Sequence, residues 1–130
     1  MEKKNRIKKI GIAIKPHAPG IENILKELVS YLERQGIECL LEEVAARKIN
    51  RPGGFRREEL PGLSQAMIVL GGDGTLLSVA AAAARVDVPV IGLNLGRLGF
   101  LTEIPVNEAL PVLEAFLKDK NGFISRRTLL

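Results

Sequence analysis

"AMIVLGGDGTLLSVAAAAARV", residues 66–86, decides the fold. A short apolar run, 66–70, has the length of a buried strand and stops at paired glycines. Residues 75–85 follow, rich in alanine, the best helix former. Strand, glycine turn and helix in that order form an α/β unit. The turn holds one carboxylate, Asp73, between Gly72 and Gly74. Glycine removes side-chain cover and permits close approach of a ligand.

The flanking sequence repeats the alternation. "IKKIGIAI", 7–14, places Ile10, Ile12 and Ile14 at period two with small residues between, which predicts a strand buried on both faces. Ile21, Ile24, Leu25, Leu28 and Leu32 follow the helical period, and Gly36 sits where a C-cap belongs. "IECLLEEV", 37–44, reads as a second strand. Residues 45–62 carry Pro52, Gly53, Gly54, Pro61 and Gly62 among charges, which predicts a long loop with one helical turn near Glu58. "VPVIGLNLG", 88–96, is a fourth strand, followed by the loop "RLGFLTEIP". A last helix is expected from Asn107 to about Lys118, ended by Asn121-Gly122. The closing "FISRRTLL" is extended and apolar; either it has no strand partner and promotes association, or it pairs at the sheet edge. The expected fold is an open, mostly parallel sheet with flanking helices, joined by right-handed crossovers.

Composition narrows the class. The 130 residues are 46% hydrophobic and 26% charged, with no Trp, so the core is aliphatic and the size is that of one domain. No apolar run reaches the roughly 20 residues of a membrane helix. Cys39 is the sole cysteine, which excludes an internal disulfide and a thiolate metal cage and suits the cytoplasm. The net charge of +4 comes from scattered residues such as Lys8, Lys9, Arg47, Arg56, Arg57 and Arg126. No aromatic residues interleave with them, so no nucleic-acid partner is expected.

In open α/β sheets, ligands sit beyond the carboxyl ends of the strands, where both glycine-rich loops, 71–74 and 96–99, fall. The first opens a helix, whose N-terminal amides attract anions. It is neither a Walker A loop nor the G-x-G-x-x-G dinucleotide fingerprint. Asp73 would repel a phosphate without a divalent metal. It is therefore a metal-linked group, a general base for phosphoryl transfer, a ribose ligand or simply a helix cap. Thr75 either caps the helix or touches a phosphate. Phe100 either flanks a flat ring or packs as core. Arg97 pairs with a phosphate or with Glu103. Asn94 stands near a strand end as a turn residue or ligand. His17 is a solvated loop residue.

These residues carry a resemblance. "GGDGT", 71–75, followed by a helix and then "GLNLGRLGFLTE", 92–103, resembles the NAD kinase family over essentially the whole chain. The first motif is shared with diacylglycerol and sphingosine kinases and, in related form, with phosphofructokinases; its combination with an NxGxLGFL segment roughly twenty residues on is highly specific for NAD kinases. The resemblance implies transfer of the terminal phosphate of ATP or polyphosphate to the adenosine ribose 2′-hydroxyl of NAD, with Mg2+. It implies that Asp73 is the catalytic carboxylate, that Gly72, Gly74 and Thr75 serve the phosphates, and that Asn94 and Phe100 belong to the NAD site. No metal ligand is assigned. It also implies that 1–125 form an α/β nucleotide-binding domain and that 126–130 lead into a β-rich C-terminal domain which the chain lacks. The family's Asn-Asp or Asn-Glu adenosine motif and its main subunit contacts lie in that domain. A homo-oligomer is expected for the complete protein, and the chain alone is expected to be inactive. The rival readings are a diacylglycerol-kinase-like lipid kinase, against which the second motif argues, and a non-catalytic nucleotide-binding module.

Overall fold

A computed structural model of the chain describes residues 7–93 together with Thr128 and Leu129. β1 (Lys9–Ile14) leads to α1 (Ile21–Arg34), β2 (Glu38–Leu41), α2 (Glu43–Lys48) and α3 (Leu60–Leu63). β3 (Ala66–Leu70), α4 (Asp73–Arg85), β4 (Val90–Leu93) and β5 (Thr128–Leu129) complete it. The sheet order is β2-β1-β3-β4-β5 and every pairing is parallel, so the strand that ends at Leu70 is central.

The alternation in β1 explains the layers. Ile10, Ile12 and Ile14 join Leu25, Leu28 and Leu32 of α1 in one core cluster, with Ala45 and Ala46 of α2. Ala13 faces the other way, with Met67, Val69, Leu60 of α3 and Leu76, Val79 and Ala83 of α4. The small residues of β1 admit this second layer closely. A Cβ at Gly11 would lie 2.6 Å from both Met67 Sδ and Ser64 Oγ. Each buried aliphatic side chain contributes about 1.5–3 kcal/mol, so the two clusters together hold helices on both faces of the sheet.

α1 ends as its glycine predicts. Gly36 has φ +82°, its N–H donates to Glu33 O, and Ile37 N–H donates to Leu32 O. This is a Schellman ending. α2 and α4 end the same way with Asn50 (φ 57°) and Asp87 (φ 59°) in the left-handed position.

One expectation changes, one shifts by two residues and one alternative is decided. Residues 43–48 are helical, where 37–44 was expected to be strand and 45–62 loop. The glycines and prolines from Pro52 onward suggested a loop, but in "EVAARK" every residue except Val44 is a good helix former, with an acid in the first turn and bases in the last. The helical turn expected near Glu58 forms at Leu60–Leu63. Of the two alternatives for the closing segment, edge pairing holds at Thr128 and Leu129, which pair with Val90 and Ile91. The remainder of the expected fourth strand, the loop at 97–105 and the helix from Asn107 lie outside the described residues.

Candidate active site

The three central strands end in step. Ile14 is the register partner of Leu70, and Leu70 of Leu93. Lys15 N–H donates to Leu70 O at 2.8 Å, and Gly71 N–H donates to Leu93 O at 3.1 Å. The carboxyl edge of the sheet therefore collects Lys15 just past β1, Glu42 just past β2, and the Gly71–Thr75 turn after β3.

α4 starts at Asp73, two residues earlier than alanine content predicts. Its N-cap is Gly72, in extended conformation (φ −107°, ψ −165°), and no side chain among the described residues caps the helix. Neither Asp73 nor Thr75 takes the capping role. Asp73 is the first helical residue and is exposed, as is Gly74. The first four N–H groups of a helix have no intrahelical partner, which leaves those of Gly72 through Thr75 as donors at this edge.

The glycines of the turn differ in what requires them. A Cβ at Gly71 would lie 2.8 Å from Lys15 Cβ and 3.3 Å from Lys15 N, so packing against β1 demands glycine there. Among the described residues, a Cβ at Gly72 or Gly74 would meet nothing within 4 Å. The packing of these residues leaves room for side chains at both.

Around this turn lies a polar framework that sequence reading missed. Glu42, only 8% exposed, accepts a hydrogen bond from Ile14 N–H through Oε1 at 3.1 Å. Arg57 Nε donates to Glu42 Oε2 at 2.8 Å. The signal was faint: an acid directly after the apolar "CLL", and one arginine among several in a loop. Lys15 was also missed; no lysine lies within the turn in sequence, and parallel pairing brings one from the end of β1.

His17 is exposed beside a cavity of about 370 Å³ that also touches Lys48. Burial pushes the Cys39 thiol up to about 12, and the nearby Glu33 charge adds to this, which disfavours the thiolate. No group of three or more His, Cys, Asp or Glu side chains suited to a metal occurs among the described residues. No helix among them is long and apolar enough to cross a membrane. Asn94, Arg97, Phe100 and Glu103 lie outside the described residues.

Comparison with known proteins bears on what this edge serves. A family model described as the ATP-NAD kinase N-terminal domain matches residues 10–121. The chain is 43% identical over 111 residues to the NAD kinase of Geobacter sulfurreducens, covering 85% of the chain and 39% of that relative. It is 39% identical over 123 residues to the NAD kinase of Solibacter usitatus, covering 95% of the chain and 43% of that relative. The chain thus spans about two fifths of the length of these relatives. Its fold is similar to that in the crystal structure of yeast NADH kinase complexed with NADH, with a TM-score of 0.72, 21% identity, and coverage of 90% of this chain and 40% of that one. With the strand–glycine turn–helix unit at the carboxyl edge of a parallel sheet and a family match over most of its length, the chain belongs to the NAD kinase family as an N-terminal domain.

Proposed function

We propose that this chain supplies the phosphate-handling part of an enzyme that moves the terminal phosphate of ATP or polyphosphate onto the adenosine ribose 2′-hydroxyl of NAD, giving NADP. One observation carries the reading. Asp73 is exposed at the start of α4 between Gly72 and Gly74, where, among the described residues, no packing requires glycine and no capping bond engages a side chain. A surface left bare without a structural reason is suited to a ligand. The amides of Gly72, Gly74 and Thr75 receive phosphate oxygens, helped by the helix dipole.

The Asp73 carboxylate takes the proton of the ribose hydroxyl or holds that hydroxyl by a hydrogen bond. The hydroxyl oxygen then bonds to the terminal phosphorus as the bond from phosphorus to the donor's bridging oxygen breaks. Mg2+ fits this donor set: it binds through one or two carboxylates plus substrate phosphates and keeps several waters, and the turn offers one exposed carboxylate beside phosphate-binding amides. When bound, it would neutralise charge on the phosphates next to Asp73. Asn94 and Phe100, from the NxGxLGFL segment, complete the NAD side of the site.

The reading places residues 1–125 as the α/β nucleotide-binding domain and 126–130 at the entry to a β-rich domain that completes the site. The greater length of the relatives supports this. The intact protein is read as a cytoplasmic homo-oligomer without nucleic-acid or membrane partners. The test is direct. Intact protein incubated with NAD, Mg2+ and either ATP or polyphosphate should form NADP, while residues 1–130 alone should not. Sustained NADP formation by a clean monomer of residues 1–130 would overturn the two-domain part of the reading.

A further inference from the structure

Arg57 is the one side chain that bridges both sides of the Gly71–Gly74 turn among the described hydrogen bonds. On the sheet side, its Nη2 donates to Ile14 O at 3.2 Å and to Glu42 Oε1 at 3.3 Å. Ile14 is the last residue of β1; the next, Lys15, packs on Gly71. On the helix side, Nη1 donates to Ser78 Oγ at 3.0 Å, and Ser78 Oγ donates in turn to Thr75 O at 3.1 Å. Thr75 lies in the same first turn of α4 as Asp73.

The chain reaches this place by a specific local device. Glu42 and Phe55 form an isolated parallel bridge, with Phe55 N–H donating to Leu41 O and Glu43 N–H donating to Phe55 O, both at 2.9 Å. Gly54 permits the approach: a Cβ there would lie 2.9 Å from Glu43 Cα. The bridge returns the 49–59 segment to the end of β2, two residues before Arg57. Glu42, almost fully buried, fixes the guanidinium from below through both carboxylate oxygens. A planar fork held at one edge presents its remaining donors in fixed directions.

We propose that Arg57 is a positioning residue. It sets the spacing between the end of β1 and the first turn of α4, and through that spacing the placement of Asp73 against its substrate hydroxyl. The proposal rests on the kinase reading above. Displacement of a reacting group by about 1 Å costs on the order of 10²-fold in rate. Lysine keeps the charge beside Glu42 but has no fork to span Ile14 and Ser78.

The experiment uses the intact protein with NAD, ATP and Mg2+. Arg57→Lys should lower kcat by tenfold or more with KM for NAD little changed. It should also speed hydrogen exchange in the 71–76 segment. Where Arg57→Lys fails to fold, Ser78→Ala decides: Ser78 is exposed on a helix, and alanine suits a helix. Ser78→Ala should lower kcat several-fold, with faster exchange at 71–76, an unchanged melting temperature and rescue by Ser78→Thr. Wild-type kcat and wild-type exchange in Ser78→Ala would overturn the proposal. Absence of NADP formation by the unsubstituted protein would instead defeat the kinase reading, and exchange at 71–76 in the same variants would still decide the positioning role.

Discussion

Two loops leave the same edge of this sheet and each opens a helix, yet they differ in what they do with the helix start. The β1–α1 loop runs from Lys15 to Gly20, contains Pro16 and Pro19, and buries Ala18. It folds back on itself, with Ala18 N–H donating to Lys15 O and Ile21 N–H to Ala18 O, so the first amide of α1 is already used. The β3–α4 loop has two residues, Gly71 and Gly72, and its helix starts at once with an exposed carboxylate. Both helices have glycine N-caps without a side-chain capping bond. Two helix N-termini at one edge thus differ in form. What marks the second loop is brevity, open space over Gly72 and Gly74 among the described residues, and the Glu42–Arg57 framework beside it.

The largest effect that would sharpen this contrast is at the two first-turn acids. Asp73→Asn in the intact protein should lower turnover by about 10²–10⁴-fold, the usual contribution of a positioned base. Because Asp73 is exposed and caps nothing, its melting curve should stay where it was. Glu22→Gln, in the first turn of α1, should leave turnover unchanged. Steady-state kinetics with calorimetry on both variants checks the pair. Equal, small effects at the two positions would erase the distinction between the loops.

The glycines separate structural from functional demand. Gly71→Ala places a methyl 2.8 Å from Lys15 Cβ and should destabilise the fold by about 1–3 kcal/mol, as overpacking does. Gly74→Ala meets open space inside a helix and should stabilise by about 0.5–1 kcal/mol. On the proposed role of this turn, turnover should nevertheless fall, because the methyl would occupy the surface that phosphate oxygens are proposed to approach. Urea unfolding and NADP assays on the same two preparations test this; a Gly74→Ala protein that is more stable and fully active would remove that glycine from the site.

Much of this was legible in the sequence, and the reasons are local. Ile10, Ile12 and Ile14 alternate with small residues because the two faces of β1 carry layers of different depth. Gly36 and the alanine run announce their helix end and helix body directly. The boundary at Asp73 was not legible, because glycine in the first turn has low helix propensity and yet the turn is held from below. Nor was the Glu42–Arg57 pair, since its partners are 15 residues apart and meet only through the bridge at Phe55. Long-range pairing of charged residues leaves no period to read.

The smallest effect lies on the α1 side, away from both loops. Arg51, just past α2, donates to both carboxylate oxygens of Glu33 on α1 at 2.8 and 3.1 Å. The hydrogen bond from Arg51 holds the Glu33 carboxyl below its ordinary range, against a smaller opposing effect of burial. A carboxylate whose folded value is lowered adds stability that is fully present above its unfolded value, about 4.3, and is lost as pH falls through the folded one. Both side chains are about 40% exposed, so solvent screens the pair and its worth is a few tenths of a kcal/mol. Arg51→Ala should therefore lower stability slightly at neutral pH, with the two unfolding curves converging in acid. Turnover should not change, because the pair ties α1 to the end of α2 and touches neither Gly71–Thr75 nor Arg57. A loss of activity in Arg51→Ala matching that of Arg57→Lys would show that the α1 side, too, governs the placement of Asp73, and the contrast between the two loops would have to be redrawn.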